Sequence, residues 1–133
     1  LAYIGDAVHA LYVRQYALSR AGRPHALHRE TARRVSAKAQ ARAARAIEPE
    51  LTEEERDILR RGRNAKSRAA PKNADVLDYR HSTGFECLVG YLYLCGRYDR
   101  LDRLLRMALE AADAEDGEAR GAAPEEDGMP HER

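Results

Sequence analysis

At 133 residues the chain is one domain's worth, long enough to bury a core without disulfide or metal staples. Trp is absent, Phe occurs once and β-branched residues are scarce, whereas Ala, Leu, Arg and Glu abound; this composition predicts an all-α protein. The formal net charge of +1 hides an asymmetry: residues 1–110 carry 21 basic and 14 acidic side chains, and residues 111–133 carry 2 and 8.

Five helical segments are expected in chain order. The first spans residues 1–19, with Ile4, Val8, Leu11 and Tyr12 at helical spacing. Gly22 and Pro24 separate it from a second, residues 24–47, which is expected to bury Val35, Ala39, Ala43 and Ile47 and to expose Arg34, Lys38, Arg42 and Arg45. The third opens on the capping box Thr52-Glu53-Glu54-Glu55 and stops near Gly62. The fourth starts around Ser82 or Thr83, buries Phe85, Leu88, Val89 and Leu92, and ends near Gly96. The fifth, residues 98–112, turns Leu101, Leu104, Leu105 and Leu109 inward. Residues 113–133 are acidic, lack apolar periodicity and read as a disordered tail.

No run is long and apolar enough to span a membrane. Cys87 and Cys95 lack ligand-like spacing and read as small core residues of a protein in a reducing cytoplasm. The chain opens on Leu1 in mid-pattern, so a short preceding segment is expected. His25 and His28 lie three apart at a helix start, but no third ligand is placed beside them, so capping or surface roles are preferred.

Charge and chemistry concentrate in two places. From Arg14 to Arg80 there are 17 basic and 9 acidic residues, which favours a polyanionic partner over a neutral metabolite, with a merely solvated surface as the plainer alternative. Within that stretch the segment Arg61-Gly62-Arg63-Asn64-Ala65-Lys66-Ser67-Arg68-Ala69-Ala70-Pro71-Lys72-Asn73 is basic and poor in large apolar groups. Its cations can grip phosphates, and Asn64 and Asn73 offer amides to sugars or base edges. The other place is a pair of acids in apolar runs, Asp6 in Tyr3-Ile4-Gly5-Asp6-Ala7-Val8 and Glu86 in Phe85-Glu86-Cys87-Leu88-Val89-Gly90. Carboxylates in such settings need a partner, and two of them meeting across a helix contact could hold a cation.

Tyr3-Ile4-Gly5-Asp6-Ala7-Val8 resembles the signature helix of ribonuclease III endonuclease domains, and Phe85-Glu86-Cys87-Leu88-Val89-Gly90-Tyr91-Leu92-Tyr93-Leu94 resembles their second acidic helix. Val35-Ser36-Ala37-Lys38-Ala39-Gln40, Arg61 to Ser67, Pro71-Lys72-Asn73-Ala74-Asp75-Val76 and Tyr79-Arg80-His81-Ser82-Thr83 resemble the short form of that family, Mini-ribonuclease III, which lacks an appended double-stranded-RNA-binding domain.

The resemblance implies a dimeric helical endonuclease domain over residues 1–112. It further implies cleavage of both strands of double-stranded RNA to 5′-phosphate and 3′-hydroxyl ends with Mg²⁺, for which Mn²⁺ could substitute. Asp6 and Glu86 match two of the family's metal-binding acids, while the flanking acid positions hold Ala2 and Thr83. Precursor rRNA of the large subunit is the implied substrate. Arg63, Asn64, Lys66, Lys72, Asn73 and Arg80 are the expected RNA contacts, followed by Arg34 and Lys38. A non-catalytic RNA-binding or ribosome-assembly protein on the same fold stays open as the alternative.

Overall fold

A computed structural model describes residues 1–20, 23–65 and 75–122, which form six α-helices and one short 3-10 turn. They are α1 (Ala2–Arg20), α2 (Pro24–Val35), α3 (Ala37–Ile47), α4 (Glu53–Asn64), α5 (Val76–Leu94) and α6 (Tyr98–Ala122), with the turn at Glu48–Glu50. Among the described residues there is no strand, as the composition predicts.

The segment expected to be one helix over residues 24–47 is two. Ser36 adopts an extended backbone (φ −63°, ψ 155°), and its hydroxyl accepts from Ala39 N at 3.1 Å, so it caps α3 instead of continuing α2. Gln40 Nε2 donates to Val35 O at 3.0 Å, satisfying a carbonyl left free where α2 stops. The break rotates the buried stripe, and α3 buries Gln40, Ala41, Ala44 and Ile47 in place of the expected Val35, Ala39 and Ala43.

α4 begins as expected, with both hydrogen bonds of the capping box formed between Thr52 and Glu55. Glu55 is itself buried and takes a bidentate pair of bonds from Arg100 of α6, Nε to Oε2 at 2.9 Å and Nη2 to Oε1 at 2.8 Å. α5 starts well before Ser82, because Asp75 accepts from Asp78 N at 3.1 Å and caps the helix there. Val76 and Leu77 in that first turn face water, which is why apolar periodicity misses it.

α5 is the central element, packed by α1, α3 and α4, while α6 lies mainly on α3. Its Phe85, Leu88, Val89 and Leu92 interlock with Leu101, Leu104 and Leu105 of α6 in one core, as the pattern predicts. Each such side chain contributes about 1.5–3 kcal/mol when fully buried. On α1 the buried face is Gly5, Val8, His9, Val13 and Ala17; Leu11, expected inside, is exposed.

Just past the end of α5, Gly96 with a φ of +71° turns the chain, and Gly96 N donates to Tyr93 O and Arg97 N to Leu92 O, at 3.0 and 2.9 Å. Neighbouring Cys95 is exposed, against the expectation of a core role, and both cysteines are free thiols. α6 runs to Ala122, ten residues past the end expected for the fifth helix. Residues 123–133 of the expected tail lie outside the described residues. No helix among the described residues is long and apolar enough to cross a membrane.

Candidate metal and RNA site

The site is built where α1 crosses α5. A Cβ on Gly5 would lie 1.7 Å from the carbonyl oxygen of Glu86, and one on Gly90 would lie 2.2 Å from Leu1 O. Two glycines therefore let the helix backbones touch, and the residue after Gly5 is Asp6. This crossing sets the carboxyl groups of Asp6 and Glu86 against each other. Burial, then the charge of Asp6 and the hydrogen bond between the two carboxyls, pushes the Glu86 carboxyl up to about 7. Asp6 is exposed and Glu86 half-buried, so the pair opens to solvent.

A second close contact brings α4 to the same stretch of α5. A Cβ on Gly62 would meet the Cys87 side chain and Gly84 Cα at 2.8 Å, and one on Gly84 would lie 2.6 Å from Leu59 O and 3.2 Å from Arg63 N. Burial pushes the Cys87 thiol up, as suits a packing residue rather than a nucleophile. The end of α4, with Arg63 and Asn64, is thereby held beside the turn of α5 that carries Glu86. Thr83, one turn before Glu86, is tied down by a 3.0 Å bond to Tyr79 O. Ala2 and Thr83 supply no carboxylate, and among the described residues no group of three or more His, Cys, Asp or Glu gathers.

The donor set fits a hard divalent cation. No described arginine or lysine pairs with Asp6 or Glu86. Two adjacent carboxylates without a cationic side chain are left to share a proton or to bind a metal, and oxygen ligands suit Mg²⁺.

The expected RNA contacts separate into three groups. Arg63, Asn64, Arg80 and Lys38 are at least partly exposed. Lys66, Lys72 and Asn73 lie outside the described residues. Arg34 is a correction: it is buried, donating to Glu30 and, at 2.7 Å, to Asp113 Oδ1, so it is no free phosphate ligand. A short polar side chain breaking the helix at Ser36 turns Arg34 away from the Lys38 face. Sequence reasoning missed His9, a buried residue on α1 whose ring packs edge-on against Phe85 at 5.0 Å. Burial lowers its pKa from 6.5 to about 4. Its place one turn after Gly5, on the stripe facing α5, was the available signal.

The all-helical body carries two facing carboxylates at a glycine crossing, and residues 1–97 match the family model described as Ribonuclease III domain. Curated proteins similar to this chain include several named Mini-ribonuclease 3. One from Thermoanaerobacter sp. is 47% identical, covering 85% of this chain and 80% of its own. Another, from Symbiobacterium thermophilum, is 50% identical over 83% of this chain and 85% of that protein. A crystal structure of a Fusobacterium nucleatum protein superposes with a TM-score of 0.74 at 26% identity, covering 84% of this chain and 89% of that one. The chain belongs to the ribonuclease III family, in its Mini-ribonuclease 3 group.

Proposed function

We propose that this ribonuclease III-family protein is a Mg²⁺-dependent endoribonuclease that cuts both strands of double-stranded RNA, leaving 5′-phosphate and 3′-hydroxyl ends. The observation that carries this reading is the contact between the Asp6 and Glu86 carboxyls across the α1–α5 crossing. Both would hold the metal, and Glu86 would lose its proton as the site loads. A bound divalent ion supplies Lewis acidity, polarising a phosphate oxygen and lowering the pKa of water. Arg63 and Asn64 beside the crossing, with Arg80 and Lys38 on the surface, bind and orient the phosphate backbone. With only two acids, the site holds its ion more loosely than a four-acid site would, and each acid is indispensable.

The protein acts as a homodimer in this reading, one site facing each strand. Large apolar side chains left in water at the start of α1 (Leu1, Tyr3) and the end of α5 (Tyr93, Leu94) support such pairing. Its substrate is structured RNA, specifically large-subunit rRNA precursor in the cytoplasm, on the strength of the resemblance to the short family form. The two-acid contact favours catalysis over the non-catalytic alternative, since a purely binding protein has no use for an unpaired carboxylate pair.

Cleavage of a duplex RNA should require Mg²⁺, and Asp6→Asn should abolish it while leaving duplex binding within about twofold. Cleavage by the variant at the wild-type rate would sink the mechanism.

A further inference from the structure

Past Leu109, α6 leaves the core: none of residues 111–117 is buried. Charge holds it instead. Arg34 Nη2 donates to Asp113 Oδ1 at 2.7 Å, Arg33 Nη1 lies 2.9 Å from Asp116 Oδ2, and Arg20 of α1 lies 3.6 Å from Asp113. The Tyr16 hydroxyl also donates to Asp113, and its ring lies beneath the guanidiniums of Arg20 and Arg34, 4.3 and 5.1 Å from the centroid. Glu30 completes the cluster, bonded to Arg33 at 2.8 Å and to Arg34.

Three guanidiniums, Arg20, Arg33 and Arg34, thus meet three carboxylates, Glu30, Asp113 and Asp116. Two of those carboxylates belong to α6, so without them the α1–α2 face would be left with two uncompensated positive charges. Exposed Arg29 stands one turn from Arg33 on α2, and Arg23 precedes that helix, extending the same basic face.

We propose that the acidic turn of α6 is an internal competitor for RNA: it occupies Arg20 and Arg33, which duplex phosphates take when it is displaced. The proposal rests on the RNA-binding reading above. Of the pairs it breaks, those of Arg20 and Arg33 are wet, with side chains 54% and 40% exposed, and such pairs are weak and screened by salt, while the firmer hold is that of Arg34 and Tyr16 on Asp113. A duplex offers a row of phosphates, and each arginine that binds one releases a counterion. Arg34 keeps Glu30 in either state and stays as the buried anchor of α2. The carboxylates of α6 therefore hold Arg20 and Arg33 most firmly at low salt, where screening is least, and their removal is felt most there.

The test is binding of a short blunt RNA duplex to the full chain in EDTA, across a salt series, for wild type, Asp116→Asn and Asp113→Asn/Asp116→Asn. The double variant should bind roughly five- to tenfold tighter at low salt, and its log K against log salt should steepen by about two, near 0.9 for each freed arginine. Asp116→Asn alone, at an exposed pair, should give about half that steepening and keep the fold intact should Asp113→Asn weaken it. Wild-type affinity and slope in both variants would overturn the proposal while leaving the RNA reading in place. If no form, wild type included, binds the duplex, the RNA reading fails and the proposal with it.

Discussion

Gly5 rests on the backbone of Glu86, so closely that a Cβ there would stand 1.7 Å from the Glu86 carbonyl oxygen. The distance between α1 and α5, and with it the contact between the Asp6 and Glu86 carboxyls, depends on that missing methyl group.

Gly5→Ala should therefore damage stability and activity together. An obstruction by backbone cannot be relieved by a rotamer change, so the helices must separate, at about 2–4 kcal/mol by the usual scale of overpacking in a tight contact. Urea unfolding should show that loss, and Mg²⁺-dependent cleavage should fall by at least tenfold under conditions where the variant is still folded. Gly117→Ala, on exposed α6 with nothing within 4 Å, is the matched control and should stabilise by about 0.5–1 kcal/mol. Equal effects of the two changes would refute the importance of the crossing.

Half-buried Glu86 and buried His9 pull stability in opposite directions with pH. Because the Glu86 carboxyl is raised from 4.5 to about 7, the folded chain binds more protons than the unfolded chain in that window. Its contribution is complete below pH 4.5 and is lost as pH climbs through about 7. His9 is lowered from 6.5 to about 4, so its contribution is complete above pH 6.5 and is lost as pH falls through about 4. In chelator, wild type should consequently show a broad plateau of melting temperature from pH 4.5 to 6.5. Glu86→Gln should leave a rising limb across that range and stabilise the metal-free protein at pH 7 by roughly 1–2 kcal/mol, after allowance for screening by water. His9→Leu should leave the falling limb, and added Mg²⁺ should raise the wild-type melting temperature at neutral pH and not that of Glu86→Gln. Parallel pH profiles in all three proteins would rule out both assignments.

Glu55 serves two structures at once, closing the capping box with Thr52 and receiving both bonds from Arg100. Arg100→Ala removes only the second and leaves the carboxylate partly satisfied by Thr52 N at 2.9 Å. Glu55→Ala removes both and leaves the Arg100 guanidinium, 26% exposed, with its 2.7 Å bond to Glu50 O but no carboxylate. Thermal unfolding should rank Glu55→Ala below Arg100→Ala, with losses of about 3 and 2 kcal/mol. The opposite order would show that the cap contributes little.

Much of the helical plan follows from residue type and local spacing. Phe85, Leu88, Val89, Leu92, Leu101, Leu104, Leu105 and Leu109 recur at helical intervals, and all are buried. The capping box at Thr52 is equally local, since its partners stand three residues apart. Asp6 and Glu86 were recognisable as acids in apolar runs, and Gly5 and Gly90 as small neighbours. Such features depend on a chain's own period and on its nearest groups, which a sequence displays directly.

Tertiary structure decided what depends on distant partners. Ser36 can sit within a helix or cap a new one, and Gln40 bonding back to Val35 O accompanies the second choice; that break moved Arg34 from a surface stripe into a cluster with Asp113, 79 residues away. Asp113 in turn belongs to a segment whose composition reads as disordered, yet arginines on α1 and α2 hold it. His9, ordinary in sequence, became a buried group because α1 lies on Phe85. The meeting of Asp6 and Glu86 is of the same kind. Spacing along the chain shows that the two acids are unusual, and only the packing of glycine on backbone brings them close enough to act as one site.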